Sequence, residues 1–147
     1  MSNAALTAVL RLVQVEAAIQ NQFAGALASV HGLALNELLL LINLDSAPLG
    51  RMRRVDLAAA LAVSQSSVTR MAIPLEKIGI VARDSDPRDG RVAYVVLTDS
   101  GRMRTREAKI TLADLSGTIF GDKLSAAETK TLASLLGRLS FLGPGAR

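Results

Sequence analysis

The sequence predicts a mainly α-helical chain with one small β-hairpin, and three observations lead there. Half of its 147 residues are apolar and about a fifth are charged, the balance of a chain that buries a core. Aromatics are confined to Phe23, Phe120, Phe141 and Tyr94, so the core must be built from Leu, Val, Ile and Ala, a mixture that favours helices. Helical periodicity runs through both halves, whereas the middle holds two short apolar runs around a polar, turn-rich tip. The length fits one domain, with no internal repeat and no separating linker.

Residues 4 to about 29 read as a first helix. Leu6, Val9, Leu10, Val13, Ala17 and Ile19 follow helical spacing, and the apolar residues wrap around more than one face. A terminal helix of that kind packs against more than its own core. His31-Gly32 ends it, glycine supplying the left-handed stop. Residues 35 to about 44 form a second, very apolar helix, broken by Ala47-Pro48-Leu49-Gly50. Residues 55–62 make a short third helix with Asp56 in its first turn, where a carboxylate meets the positive end of the helix dipole.

Ser64 is a good N-cap for a fourth helix that runs to Ile78 and stops at Gly79. Pro74 falls inside it, removing one ladder bond and freeing the Arg70 carbonyl, so a slight kink is expected. Residues 80–83 and 92–97 read as strands joined by the tip Asp84-Ser85-Asp86-Pro87-Arg88-Asp89-Gly90. Thr98 then caps a long fifth helix, with Asp99 in its first turn and Gly121 at its end. Ser125 and Glu128 form a capping box for a sixth helix striped by Leu132, Leu135, Leu136, Leu139 and Leu142. A short helix, a tight turn and a second helix make a helix-turn-helix, and the hairpin that follows is a wing.

Charge and composition narrow the function. The net +4 is unevenly placed: residues 51–109 hold twelve basic and seven acidic side chains, a net +5, while the remaining five basic and six acidic ones sum to −1. A basic centre between near-neutral ends points to a polyanion-binding module on a different kind of scaffold. The absence of cysteine excludes disulfides, thiolate metal sites, thiol catalysis and cysteine-based redox sensing, and fits a cytoplasmic location. A single histidine, His31, excludes a histidine-rich metal site and leaves little acid–base chemistry near neutral pH. No nucleophile–base pair, metal spacing or phosphate loop is present, so neither an enzyme nor a cofactor is expected. No apolar run approaches the roughly 18 residues of a membrane span, and the N-terminus lacks a signal-peptide pattern.

The fourth helix has two faces. Val68, Ala72, Leu75 and Gly79, with Met71 beside them, form a core face. Opposite lie Ser66, Arg70, Ile73 and Lys77, flanked by Ser67 and Thr69, a short, hydroxylic and basic surface suited to a major groove. Serine and threonine fit a mid-helix face poorly for stability alone, which favours groove reading over a solvated face. The candidate contacts there are Ser64, Gln65, Ser66, Ser67, Thr69 and Arg70. On the hairpin they are Arg88, Asp89 and Arg91. An arginine at a hairpin tip can enter a narrow minor groove, where negative potential is focused. Asp89 would repel phosphate, so its role is to pair with Arg91 and set its direction. A charged tip that only keeps the loop soluble is the alternative. His31 reads as a helix-end cap or surface group. Arg102, Arg104 and Arg106 either touch flanking phosphate or form the solvated side of a long helix.

Several segments carry a family resemblance. Val68-Thr69-Arg70, Leu75-Glu76-Lys77-Ile78-Gly79-Ile80-Val81 and Arg83 resemble the recognition helix and first wing strand of the MarR family. Asp89-Gly90-Arg91 is similar to its D-x-R wing signature. Leu97-Thr98-Asp99-Ser100-Gly101 is similar to the L-T-x-x-G start of its next helix. Leu57-Ala58 and Val63-Ser64 match the short helix and turn before them, and the flanking helices match in order and length. Pro74 stands where many relatives carry a polar residue.

The resemblance implies a single domain over residues 1–147, with dimerisation helices at 1–33 and 99–147 and a winged helix-turn-helix DNA-binding region at 34–98. It implies a homodimer on double-stranded DNA, a pseudo-palindromic operator, a fourth helix in the major groove and Arg91 in the minor groove. It also implies a small-molecule effector, of open identity, seated between the dimer core and the winged helix. The rival expectation is a winged-helix protein-interaction module that binds no DNA. Ser66, Ser67, Thr69 and Arg70 speak against it.

Overall fold

Hydroxyl, glycine and proline residues punctuate the chain where local chemistry directs. The computed structural model describes residues 3–139. The elements are α1 (Ala4–His31), α2 (Leu35–Ser46), a 3-10 turn (Pro48–Gly50), β1 (Arg51–Arg53), α3 (Arg54–Leu61), α4 (Gln65–Lys77), β2 (Val81–Asp86), β3 (Asp89–Leu97), α5 (Asp99–Phe120) and α6 (Ala126–Arg138). α1 ends as expected, with Gly32 at φ 66° and its N–H bonded to the Ala28 carbonyl. Ser64, Thr98 and Ser125 each cap the following helix by accepting from the backbone N–H three residues on. Glu128 returns the favour to the Ser125 N–H, which completes the capping box.

α2 is the centre of the molecule. Its Leu35, Leu38, Leu40, Leu41 and Leu44 are buried on several sides, against α1, α3, α5 and the sheet. Phe23 and Leu27 from α1, Leu57 from α3, Val68 and Leu75 from α4, Ile80, Val81, Val95 and Leu97 from the sheet region, and Ala108 from α5 complete one core. Aliphatic side chains thus carry nearly all of it, as the composition required.

The sheet departs from the sequence reading in two ways. Its order is β1-β3-β2, all antiparallel, so the hairpin gains a third strand. β1 is Arg-Met-Arg, too short and too charged to show apolar alternation. It forms because β3 offers it a paired edge, with Met52 opposite Val95. The hairpin is also longer than the apolar runs suggested, since most of the polar tip is strand and only Pro87-Arg88 turn the chain. Side chains take over local backbone partners there: Asp84 accepts from the Ser85 N–H and Asp86 from the Arg88 N–H.

α5 is latched to the body at its start. The Thr98 hydroxyl donates to the Gly79 carbonyl at 2.7 Å, and the Thr98 N–H donates to the Ile80 carbonyl at 3.2 Å. Gly101 packs directly on the Ile80 carbonyl, leaving no room for a Cβ. Thr105, a buried polar side chain, donates to the Gly101 carbonyl.

The ends of the chain look different. Leu6, Val9, Leu10, Leu12, Val13 and Val15 of α1 are exposed, as are Leu135 and Leu136 of α6, which buries no residue at all. Leu142, the last of the expected leucine stripe, lies outside the described residues. No single helix among the described residues is long and apolar enough to cross a membrane.

Candidate nucleic-acid interface

The turn between α3 and α4 is made by Ala62, which takes the left-handed conformation (φ 56°) usually left to glycine. The Val63 N–H bonds back to the Ala58 carbonyl at 3.0 Å, and Ser64 opens the next helix. These three residues join the two helices, and α4 packs on α3.

α4 divides as its wheel predicts. Val68, Ala72 and Leu75 are buried, and Ser66, Arg70, Ile73 and Lys77 are exposed. Gly79 lies beyond the helix and is exposed instead of joining the core face. The helix continues through Pro74 as one element. Its first turns hold a polar relay: the Ser64 hydroxyl donates to Ser67 Oγ at 3.0 Å, and Arg70 Nη2 donates to the same oxygen at 3.1 Å. The guanidinium of Arg70 is thereby folded toward the helix N-terminus. Thr69 donates to the Gln65 carbonyl and accepts from Arg54 Nη1 at 3.3 Å.

On the wing, the pair between Asp89 and Arg91 is present. Asp89 Oδ1 accepts from both the Arg91 backbone N–H and Nε at 3.0 Å, and Oδ2 accepts from Nη2 at 3.2 Å. The carboxylate grips one edge of the guanidinium, while the arginine side chain stays 91% exposed. Arg91, through its side chain first and its backbone N–H second, holds the Asp89 carboxyl below its ordinary range. The strand register slips here: Ser85 faces Ala93 but Asp86 faces Asp89, so Arg91 sits in the irregular stretch of β3. Irregularities of this kind re-aim side chains out of the sheet alternation. Arg88 stands exposed at the turn itself.

α4 and the wing meet at one point: Gln65 from α4 and Arg91 from β3 line a common cleft of about 290 Å³. Arg53 and Arg54 line it too, and neither was singled out from the sequence. The available signal was a pair of arginines immediately before the short third helix. Other sequence candidates lie elsewhere. Arg102 is half-buried and pairs with Asp45 at 2.8 Å, tying α5 to the end of α2. Arg104 donates to the His31 carbonyl at 2.6 Å, and His31 Nε2 is hydrogen-bonded to Thr111 Oγ1 at 2.7 Å. These side chains form the joint between α1 and α5. Arg106 is exposed.

Comparison with known proteins agrees with this fold. Residues 33–93 match the model of the MarR family. No curated protein matches the sequence. Among solved structures, Sco3205, a MarR family transcriptional regulator from Streptomyces coelicolor in complex with DNA, is 22% identical, with a TM-score of 0.84 over 99% of this chain and 91% of that one. A mutant of MarR from E. coli complexed with operator DNA is 23% identical, with a TM-score of 0.78 over 93% of this chain and 96% of that one. BpsR from Bordetella bronchiseptica, whose DNA binding is regulated by 6-hydroxynicotinic acid, is 24% identical, with a TM-score of 0.80 over 91% and 98%.

Proposed function

We propose that this chain, whose residues 33–93 are a MarR family domain, is a sequence-specific double-stranded DNA-binding transcriptional regulator that acts as a homodimer. One observation carries the proposal: Gln65, in the first turn of the hydroxylic helix α4, and the carboxylate-held Arg91 of the wing line one cleft. α4 enters the major groove with Gln65, Ser66, Ser67, Thr69 and Arg70 toward base edges and phosphates, and Ser64 at its mouth. Arg91, aimed by Asp89, enters the adjoining minor groove, and Arg88 follows the backbone beside it. Residues 34–98 are the reading region, and residues 1–33 and 99–147 are the dimerisation helices. The exposed aliphatic faces of α1 and α6 support that division, because one winged helix has nothing to cover them with.

The protein works by binding, in the cytoplasm, and not by catalysis. A small-molecule effector belongs to the same proposal, supported by the regulated Bordetella relative. An open cleft of about 580 Å³ between the end of α2, β1 and α3, with the Arg51 guanidinium 4.4 Å over the Tyr94 ring, is a place for it, although it lies within residues 34–98 and not against the dimerisation helices. The deciding experiment is selection of bound sequences from random duplex DNA. A two-fold dimer should return a pseudo-palindrome with half-sites about one helical turn apart, or a small multiple. Enrichment of a single asymmetric half-site would disprove the dimeric mode, and no enrichment would disprove sequence-specific binding.

A further inference from the structure

A protein with one element in a major groove and another in the neighbouring minor groove straddles the sugar–phosphate strand between them. Whatever lies between those two elements faces that strand. Here the elements are the first turn of α4 and the outer part of the wing, and between them lies the cleft of about 290 Å³ lined by Arg53, Arg54, Gln65 and Arg91.

We propose that this cleft is a phosphate site for that strand, held by Arg53 and Arg54 from the start of α3, beside the Arg91 that enters the minor groove. The proposal rests on the DNA-binding reading above and adds to it a pair of arginines that neither reads bases nor enters a groove.

The charges favour an anion. Arg54 has a neutral partner, Thr69 Oγ1 at 3.3 Å, so its charge is not cancelled by that bond. Arg53 Nε lies 3.9 Å from Asp56, at the edge of an ion pair, with both side chains more than half exposed. Such a pair is worth little and yields readily to a stronger acceptor. Asp89 engages Nε and Nη2 of Arg91. Guanidinium forks match the oxygens of a phosphate in geometry as well as charge. The start of α3 adds to this. Its N-cap is Arg53, with no side-chain hydrogen bond to the first-turn amides, unlike Ser64, Thr98 and Ser125 at α4, α5 and α6. Val55 of that first turn also lines the cleft. Amides at a helix start, left without a side-chain acceptor, are oriented for an anion.

The test uses the full chain and the operator obtained by selection. Arg53→Ala, Arg54→Ala and the double variant are titrated with operator and with bulk duplex DNA over a range of salt. Each phosphate contact removed should lower the slope of log K against log salt by about 0.9, so the affinity lost between 50 and 200 mM salt shrinks by about 3.5-fold per arginine. Operator and bulk DNA should weaken together, and the selected base preferences should not change. Arg53→Lys with Arg54→Lys, which keeps the charge, should restore the slope and guards against a folding effect. An unchanged slope in a double alanine variant that still binds its operator would overturn the cleft proposal alone. Failure of the wild-type chain to bind any duplex would overturn both it and the regulator reading. Saturable binding of inorganic phosphate, lost in the double variant whose slope on DNA is unchanged, would assign the cleft to a free anion and also overturn it.

Discussion

Replacing Gly101 with alanine separates two physical effects of opposite sign. Gly101 lies in the first turn of α5, where helix propensity alone makes alanine better by up to about 1 kcal/mol. Its surroundings say the reverse. A Cβ there would collide with the Ile80 carbonyl oxygen and lie 2.9 Å from both Ile80 C and Leu97 Cδ1. The oxygen is backbone, so it cannot swing away as a flexible side chain would. Relief requires the start of α5 to lift off β2 by about an ångström or more, given ordinary carbon–oxygen contacts of about 3.3 Å. That movement stretches the Thr98 hydroxyl bond to Gly79 and the Thr98 N–H bond to Ile80, each worth about 1 kcal/mol. Overpacking adds about 1–3 kcal/mol. Less the propensity gain, the expected net loss is about 3 kcal/mol. For a chain of this length that lowers Tm by about 6–12 °C. Thermal and urea unfolding followed by circular dichroism, at one fixed protein concentration, measure it. A variant as stable as the parent, or more so, would show that propensity rules and that the close approach has no energetic consequence.

The other predictions concern the interface and the dimer. Arg70→Ala should cost roughly 1–3 kcal/mol at the selected operator and relax preference at one or two positions. Arg91→Ala should weaken operator and bulk DNA together with a smaller salt slope. Quantitative gel shifts distinguish the two, and unchanged affinity and slope in Arg91→Ala would remove the wing from the mechanism. Asp89→Ala should resemble a milder Arg91→Ala. If it instead tightens binding, the carboxylate is a simple repulsive charge. Because Arg91 depresses the Asp89 carboxyl below its ordinary value of about 3.8, the pair should persist across neutral and mildly acidic pH. Its contribution is present above that ordinary value and is lost as pH falls through the lowered folded-state value. A carbon-detected NMR titration of the Asp89 carboxyl reads this directly, and a midpoint at or above the ordinary value would exclude the fork in solution. Leu10→Glu with Val13→Glu places charge on the exposed face of α1 and should convert dimer to monomer in sedimentation at micromolar concentration. A dimer unaffected by the pair would put the interface elsewhere.

Much of the fold was legible because its signals are local. Ser64, Thr98 and Ser125 each act on an N–H three residues away, so a cap can be recognised in a window of four. The face of α4 was legible for a similar reason, since Val68, Ala72 and Leu75 recur at the helical period. The fork of Asp89 on Arg91 spans two residues, and the charge conflict on a tip expected to face DNA was enough to suggest it. β1 carried no such signal. Arg51, Met52 and Arg53 are a strand only because Val96, Val95 and Tyr94 lie opposite. Arg53 and Arg54 were visible as charges but not as a site, because the cleft they line is completed by Gln65 and Arg91 from other elements.

The sequence by itself therefore determined the helices, their caps, the exposed hydroxylic face of α4 and the arginine of the wing. Each depends on residues within about one or two helical turns of each other, where covalent geometry alone sets the distances. Only the tertiary structure decided what the remaining arginines do. Arg102 meets Asp45 across 57 residues and Arg104 meets the His31 carbonyl across 73, which turns two candidate phosphate contacts into struts between helices. The structure likewise decided that Gly101 must be glycine, since the Ile80 carbonyl that excludes a side chain there belongs to the far side of the hairpin. Contacts of this range follow from packing of the core around α2, and no local pattern in the chain encodes which distant partner that packing will bring.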